Sequence, residues 1–248
     1  MKRNRITIFN TPVDAWTIIE TVQFIEEMIH LKQQVVHTCI NANKVVLMDT
    51  DEELHKSVSE ADIISADGQA VVWASKLLKC PIPERVPGID LMEKLIKMAG
   101  EKGYSAYFFG ARQEVVENVA SKYATQYSHS IIGGFRNGYY SESELPRIAE
   151  GINNSGSQLL FVAIPSPKKE NFIHRYAKSM PNVILLMGVG GSFDVVTGRV
   201  KRAPAWMQDN GLEWLYRLIQ EPRKMWKRYL IGNLKYISIT IRELRKSA

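Results

Sequence analysis

The stretch that decides the fold is residues 158–188, QLLFVAIPSPKKENFIHRYAKSMPNVILLMG. It contains two apolar runs, Gln158–Ile164 and Val183–Met187, which are followed by a proline and a glycine respectively. Between them, Pro167–Lys178 is amphipathic and begins with proline, which is common in the first turn of a helix. Strands that are apolar throughout are typical of parallel sheets covered on both faces. The stretch therefore predicts a strand–helix–strand unit.

The same alternation continues on both sides of this unit. Further strands are predicted at Ile6–Phe9, Gln34–Ile40, Ala61–Ala66, Tyr104–Phe109 and Ser130–Ile132. Helices are predicted at Asp14–His30, Asn43–Lys56, residues 69–79, Arg112–Tyr127 and Glu142–Asn153. This pattern predicts an α/β fold with a Rossmann-like, mostly parallel sheet and helices on both faces. Ligands of such sheets bind beyond the carboxyl ends of the strands, which are marked here by Asn41, Asp67, Gly110, Gly133, Pro165 and Gly188.

Residues 199–248 differ in composition from the rest of the chain. They contain twelve Lys/Arg, four Asp/Glu and three of the five tryptophans, and so carry net +8 in a chain of net +6. Helices are predicted at Ala205–Gln220 and Arg223–Leu230, with an interruption at Pro222, and Leu234–Leu244 has a mixed pattern. We therefore predict a core of residues 1–198 and a basic, amphipathic, mostly helical appendage of residues 199–248. Interleaved cations and aromatic rings favour a phosphate-rich partner: an anionic membrane surface, a pyrophosphate ligand or nucleic acid.

Composition and motifs disfavour several classes of protein. The chain has 248 residues, 45% of them apolar, and its two cysteines form no CxxC pair, which argues against a disulfide scaffold and a thiolate zinc site. It shows no signal-peptide pattern and no apolar run of about 18 residues. No phosphate-binding GxxxxGK[ST] loop occurs, and the nearest match to a dinucleotide-binding GxGxxG, Gly188–Phe193, ends in phenylalanine.

Two polar residues at predicted strand ends are candidates for chemistry. Asp67 follows an apolar strand and precedes a glycine, a place where a carboxylate serves either as a catalytic base or as the N-cap of the next helix. Asn41 follows the strand before it and is either a functional amide or a cap. The pattern alone leaves both interpretations open for each residue.

Three further polar motifs also have two interpretations. Asp49-Thr-Asp51 resembles the metal-binding DxD of sugar-nucleotide enzymes but lies in a polar helical segment, so we expect a solvated helix face and no metal. Arg85 lies in a turn-rich loop, where arginines are usually solvated. Lys168-Lys169-Glu170 opens a helix, where the dipole prefers anions. Cations beside free N–H groups suit a phosphate, and the alternative is a solvated first turn.

An ordered set of short motifs carries a resemblance to a known family. The motifs are Asn41–Val46, Ala66–Gly68, Glu84–Asp90, Phe109–Ala111, Gly133–Tyr139, Pro165–Glu170, Gly188–Asp194 with Gly198, Lys201–Pro204, Gly211–Leu218 and Glu221–Arg223. With this set the chain resembles the WecG/TagA/CpsF family, glycosyltransferase family 26, over nearly its full length. The most specific part is ArgAlaPro followed by GluTrpLeuTyrArg.

The resemblance implies an inverting glycosyltransferase without a cofactor. Such enzymes move a sugar, commonly N-acetylmannosamine, from a UDP-sugar to N-acetylglucosamine on undecaprenyl or another polyprenyl diphosphate, in wall teichoic acid or other surface polysaccharide synthesis. Asp67 and Asn41 are implied as catalytic residues, with Asp67 as the base. The implied substrate-binding residues are Cys39, Arg85, Gly110, Lys169, Gly188, Asp194, Arg217, Arg223 and Arg228, the last three on the donor diphosphate.

The same resemblance implies the partners and the location. We expect a UDP-sugar donor, a lipid-linked acceptor and an anionic membrane surface as partners, and no nucleic acid; homo-oligomerisation stays open. The expected location is cytoplasmic, peripheral on the inner face of the cell membrane. Two departures from the family pattern leave the donor sugar open: Cys39 replaces a threonine, although Thr38 is adjacent, and Lys169 replaces a glutamine. A UDP-glucose-type donor in exopolysaccharide synthesis is therefore an alternative.

The chemistry can also be argued from the residues. Inverting transfer needs a base for the acceptor hydroxyl and stabilisation of the departing UDP. A strand-end carboxylate supplies the first, and the surplus arginines of residues 199–248 supply the second through bidentate contacts to phosphate. A nucleic-acid-binding α/β protein and a Rossmann oxidoreductase are the rival interpretations. Neither has a supporting motif, since no recognised base-reading element occurs and the GxGxxG pattern fails.

Overall fold

The computed structural model describes residues 4–247, without the side chains of Lys224, Lys227, Arg228 and Ser247. A short antiparallel hairpin, β1 Arg5–Ile8 and β2 Thr11–Asp14, precedes a six-stranded parallel sheet. The strands of the sheet are β3 Val35–Ile40, β4 Ile63–Ala66, β5 Ala106–Gly110, β6 Ile132–Arg136, β7 Leu159–Ala163 and β8 Leu185–Gly188. Their order is β4-β3-β8-β7-β5-β6. The predicted α/β fold with a parallel sheet is confirmed.

Helices cover both faces of the sheet. In chain order they are α1 Ile18–Leu31, α2 Ala42–Met48, α3 Glu52–Ser59, α4 Gln69–Leu77, α5 Gly88–Lys102, α6 Gln113–Gln126, α7 Leu145–Asn154, α8 Lys168–Tyr176, α9 Ser192–Val196, α10 Ala205–Asp209, α11 Glu213–Gln220 and α12 Pro222–Ser247. Side chains alternate across each strand, so Phe108 packs with α5 and α6 while Phe109 packs with α7 and α8. The core therefore consists of two apolar layers, one on each face of the sheet.

The strand order places β3, from the first half of the chain, next to β8, from the second half. The chain passes from β3 outward to β4, crosses to β5 and β6, and then returns through β7 to β8, which pairs with β3. All six strands are parallel, so their carboxyl ends lie along the same edge of the sheet. The loops that follow β3, β4, β7 and β8 are consequently neighbours, and this edge is where ligands of open α/β sheets bind.

Two predictions near the N-terminus are wrong in detail. The helix predicted from Asp14 starts at Ile18 and is capped by Thr17, because Asp14 is buried in the hairpin, where it accepts a bond of 2.7 Å from Arg5. The predicted helix Asn43–Lys56 is two helices, since the Asp51 carboxylate accepts the Leu54 N–H at 2.9 Å and starts α3.

The prediction that Gly133 and Gly134 end a strand is also wrong. Strand β6 runs through both glycines to Arg136. A Cβ at Gly133 would lie 1.9 Å from Ser157 Oγ, and one at Gly134 would lie 2.5 Å from Tyr107 Cε2. These glycines permit close packing of neighbouring side chains. Helix α5, which no pattern predicted, begins directly after Pro87.

The predicted interruption at Pro222 is confirmed, since α11 ends at Gln220 and α12 begins at Pro222. The helix predicted at Ala205–Gln220 is two helices, α10 and α11, and residues 222–247 form one continuous helix instead of a short helix and a mixed segment. Pro222 occupies its first position, where the missing N–H costs nothing. Packing holds its second half against the core: Tyr236 lies 5.4 Å from Phe9 between ring centroids and donates to the Ala70 carbonyl at 3.0 Å. Helix α12 packs along α2. In the described part of the chain, no helix has the length and apolar character needed to cross a bilayer.

Candidate active site

Asp67 and Asn41 lie side by side at the carboxyl edge of the sheet. Ile40 pairs with Ala66 in the β3–β4 ladder, and the Asp67 N–H donates to the Ile40 carbonyl at 2.8 Å. A Cβ at Gly68 would lie 3.3 Å from the Cβ of Asn41, so the two strand ends are closely packed. The sequence-based placement of both residues at one edge of the sheet is confirmed.

The two residues differ in how their side chains are used. Asn41 Oδ1 accepts the Lys44 N–H at 3.0 Å and caps α2. Asp67 does not cap the following helix: α4 begins after Gly68 and receives no side-chain cap bond. The Asp67 carboxylate instead accepts a bond from the Cys39 thiol, with 3.6 Å between Sγ and Oδ2. Of the two strand-end groups, Asp67 is the one left available for chemistry.

The surroundings of Asp67 raise the pKa of its carboxyl group. Burial raises the pKa of the carboxyl above its ordinary value, and the nearby Glu213 carboxylate raises it further. Lys44, Arg85 and the Cys39 thiol act in the opposite direction but do not cancel the rise. Burial also raises the pKa of Cys39 to about 12, so the thiol keeps its proton at neutral pH and remains a donor. A carboxylate with a raised pKa is suited to accept a proton near neutral pH.

Arg85 is held at this edge by the C-terminal residues. Its side chain is only 17% exposed, and Nη1 donates to Glu213 Oε2 of α11 at 2.9 Å. Arg202 Nε lies 3.7 Å from the other oxygen of Glu213, and Arg202 Nη2 donates to Asp90 Oδ2 of α5 at 2.7 Å. The ArgAlaPro and GluTrp motifs are thus joined to the loop that carries Arg85.

A buried ion cluster lies behind the same strand ends. Lys169 and Glu170, at the start of α8, are 7% and 4% exposed, so the solvated first turn that was one interpretation is wrong. Glu170 Oε1 lies 2.7 Å from both Lys169 Nζ and Lys44 Nζ, and Lys44 is itself only 4% exposed. Lys44 was not predicted, because a lysine in a first helical turn has no sequence feature that distinguishes it from a surface residue.

Comparison with known proteins identifies the family of this chain. The sequence pattern of the glycosyl transferase WecG/TagA/CpsF family matches residues 6–248. The chain belongs to this family. It is similar to the N-acetylglucosaminyldiphosphoundecaprenol N-acetyl-beta-D-mannosaminyltransferase of Bacillus subtilis (strain 168), with 33% identity over 225 residues, which cover 90% of this chain and 86% of the relative. The resemblance to the family is thereby confirmed, and the chain is a glycosyltransferase.

Three other predicted site residues of this WecG/TagA/CpsF family member have close contacts elsewhere in the structure. Gly110 has φ of +132°, and a Cβ there would lie 2.4 Å from the Ala163 backbone, so it permits close approach of β5 and β7. Gly188 packs on Lys169, whose Cδ would lie 3.1 Å from a Cβ. Asp194, on α9, has its Oδ1 3.8 Å from Nε of Arg199.

The predicted arginines of the family's C-terminal region lie on α11 and α12. Arg217 is half-buried and Arg223 is exposed, and neither has an ion-pair partner among the described side chains. The side chain of Arg228 is outside the described residues.

The DxD motif has structural partners. Asp49 follows the end of α2 and pairs with Arg242 of α12, and Asp51 is the N-cap of α3. The prediction that both aspartates lie inside one helical segment is therefore wrong. Within residues 4–247, no three His, Cys, Asp or Glu side chains meet in a group that could hold a metal ion.

Proposed function

We propose that this glycosyltransferase moves N-acetylmannosamine from a UDP-sugar to N-acetylglucosamine on undecaprenyl diphosphate, with inversion at the anomeric carbon. The B. subtilis relative is named for transfer of this sugar to this lipid-linked acceptor, at 33% identity. The observation that carries the proposal is the Asp67 carboxylate, which lies at the carboxyl edge of the sheet, is not used as a cap, and has a raised pKa.

In the proposed reaction Asp67 acts as the base. It takes the proton of the acceptor hydroxyl as that oxygen forms a bond to the anomeric carbon of the donor. The bond from the same carbon to UDP breaks on the opposite face, and the electron pair leaves with the diphosphate. A single displacement of this kind inverts the configuration. Asn41 supports the step by capping α2 and so fixing the end of β3 beside Asp67.

The leaving diphosphate needs positive charge. Arg85 is already near Asp67, and we propose that Arg217, Arg223 and Arg228 supply further guanidinium groups, with Cys39, Gly110, Lys169, Gly188 and Asp194 completing the donor site. Arginine matches two phosphate oxygens at once. Glu213 holds Arg85 at 2.9 Å in this structure, so a bound diphosphate would share or replace that carboxylate.

Residues 199–248 are proposed to bring the enzyme to the inner face of the cell membrane. One side of α12 exposes a row of large apolar residues: Trp226, Leu230, Leu234, Ile237 and Ile241. Arg242, Arg245 and Lys246 follow this row at the end of the helix. A helix with an exposed apolar side and flanking cations is suited to lie in the interface of an anionic bilayer.

The proposal can be tested with the purified full-length chain. A short-chain polyprenyl-diphosphate N-acetylglucosamine acceptor is incubated with UDP-N-acetylmannosamine, UDP-N-acetylglucosamine or UDP-glucose. We expect addition of one N-acetylhexosamine from the first donor, measured by mass spectrometry, and an inverted anomeric centre by NMR. Transfer of glucose alone would instead support the glucose-type donor left open by Cys39 and Lys169. Absence of transfer from all donors, together with salt-sensitive DNA binding, would contradict the proposal.

A further inference from the structure

Glu213, the first residue of α11, lies between two arginines. Its Oε2 accepts a bond of 2.9 Å from Nη1 of Arg85, and its Oε1 lies 3.7 Å from Nε of Arg202. The first distance is that of a hydrogen bond, whereas the second is too long for one and is an ion-pair contact. The side chains of all three residues are only 17–25% exposed. One carboxylate is therefore hydrogen-bonded to one arginine while a second arginine lies within reach.

Arg202 is held in place by partners other than Glu213. Its Nη1 and Nη2 donate to the two carboxylate oxygens of Asp90, the Nη2 bond being 2.7 Å. The carbonyl of the preceding residue, Lys201, accepts a bond of 2.9 Å from Gln220. Arg202 Nε is buried and has no hydrogen-bond partner among the described residues. An unpaired buried donor is unfavourable, and the Glu213 carboxylate is within ion-pair range of it.

The loop that carries Arg85 lies against the proposed base. The Val86 N–H donates at 2.8 Å to the carbonyl of Ala66, the residue before Asp67. A Cβ at Gly88 would lie 3.9 Å from Asp67 Oδ2. The charge of Arg85 is therefore carried next to the place where the donor and the acceptor would react.

A diphosphate that binds Arg85 would meet the Glu213 carboxylate, and like charges at one site repel each other. Glu213 Oε1 needs to approach Arg202 Nε by less than about 1 Å to form a normal hydrogen bond. We propose that Glu213 moves from Arg85 to Arg202 when the donor diphosphate binds, which makes Arg202 a positioning residue of the donor site. This role rests on the proposed function and deepens it, because it assigns the residue that receives the displaced carboxylate. Arg217, one turn further along α11, is less suited to receive it, since it is itself expected on the diphosphate.

Calorimetric titration of the full-length chain with UDP tests this role. Arg202→Met leaves the Glu213 carboxylate without its second partner, so we expect the Kd for UDP to rise about tenfold or more, the effect of one charge-assisted hydrogen bond. Glu213→Gln removes the competing charge, and this variant should bind UDP at least as tightly as the wild type. When Arg202→Met is added to Glu213→Gln, the Kd should change by less than about twofold, because the carboxylate that Arg202 receives is already gone.

The variants have a matched control. Lys201→Met removes an exposed positive charge one residue from Arg202, and its Kd should equal that of the wild type. Asp90 lies in the first turn of α5, where the helix dipole stabilises a carboxylate, which favours folding of Arg202→Met. If that variant does not fold, Arg202→Gln, whose amide can donate to Asp90 without charge, carries the same expectation.

Three results would overturn the role of Arg202. They are an unchanged Kd in Arg202→Met, an equal loss of affinity in Lys201→Met, and a loss that persists in the Glu213→Gln background, which would indicate a structural defect. A crystal structure of the wild type with UDP gives a direct view. Glu213 Oε1 should lie within about 3.2 Å of Arg202 Nε, and a carboxylate still bonded to Arg85 alone would contradict the proposed movement.

Transfer assays distinguish this role from the proposed function. Coupling between Glu213 and Arg202 in UDP binding, without transfer of any sugar to the lipid-linked acceptor, would reject the proposed function alone. Normal transfer without such coupling would reject the role of Arg202 alone. A wild type that binds no UDP would overturn both.

Discussion

At the scale of single residues, the position of Asp67 at a strand end is visible in the sequence, but the side chains that surround the site are not. The rule that ligands bind at strand ends placed Asp67 and Asn41 correctly, because both directly follow short apolar runs. The same rule could not find Lys44, whose importance comes from α8, more than a hundred residues away in the chain. Nor could it show that Arg85 would meet Glu213 of α11. Side-chain contacts between distant segments leave no local pattern.

Replacement of the carboxylate tests the base directly. Asp67→Asn should keep the fold and the affinity for UDP but lower kcat by about 10²–10⁴-fold, the usual contribution of a positioned general base. The measurements are transfer rate, UDP binding by calorimetry and thermal melting. Asp51→Asn is the matched control, because asparagine also caps helices well, and it should transfer sugar normally. Near-normal turnover of folded Asp67→Asn would reject the assignment.

Two substitutions of Cys39 should shift the pKa of Asp67 in opposite directions. A hydrogen bond to the ionised carboxylate lowers its pKa, and a hydroxyl is a stronger donor than a thiol. Cys39→Ser should therefore lower the pKa of Asp67 and move the acid limb of the kcat/KM profile to lower pH. Cys39→Val removes the donor and should move that limb to higher pH. Shifts in the same direction for both variants would show that the thiol does not act on Asp67 in this way.

At the scale of elements, the errors of sequence analysis have identifiable physical causes. The helix predicted across residues 43–56 is divided because Asp51 forms a cap, which competes with continuation of a helix. Gly133 and Gly134 were interpreted as a strand end, but they are needed for the approach of Ser157 and Tyr107 from neighbouring elements. Regular apolar strands such as β7 were predicted to within a residue or two, because burial on both faces is visible in the sequence.

Helices α11 and α12 are expected to contribute arginines to the reaction. Arg217→Ala or Arg223→Ala should lower the transfer rate by about 10–150-fold, equivalent to about 1.5–3 kcal/mol for a charge-assisted contact. Vesicle binding should be largely unchanged. Arg175→Ala removes an exposed arginine of α8 that pairs with Glu53, and serves as the control with a normal rate. Normal transfer by both α11 and α12 variants would limit residues 199–248 to a role in attachment.

At the scale of the whole molecule, one side of α12 faces the core and the other faces outward. Met225, Tyr236, Ile239 and Thr240 are buried, with Tyr236 and Ile239 packed in the apolar layer that contains α2 and α4. The opposite side is apolar and exposed. The division into residues 1–198 and 199–248, proposed from charge, is thus accompanied by tight packing between the two parts. Tests of this region should therefore use point substitutions in the full chain.

Attachment to a bilayer can be measured by co-sedimentation with vesicles. We expect binding to vesicles rich in anionic lipid, weakened by salt, because each cation near such a surface contributes about 1 kcal/mol or less. Leu234→Ser with Ile237→Ser should reduce binding strongly without changing the melting temperature, since both side chains are more than half exposed. Ile19→Ser, a change at an equally exposed residue of α1, should bind like the wild type. Equal binding by all variants would contradict a role for this side of α12.

The two sides of α12 also constrain how the length of the chain can change. Each residue of an α-helix adds a rotation of about 100°. A single residue inserted after Leu234 would keep Met225 seated but rotate Tyr236 and Ile239 by about 100°, out of their places against the core. An insertion of seven residues, close to two full turns, would restore the angular phase. Length variation in this helix should therefore be tolerated in steps of whole turns, while the loops between strands have no such periodicity.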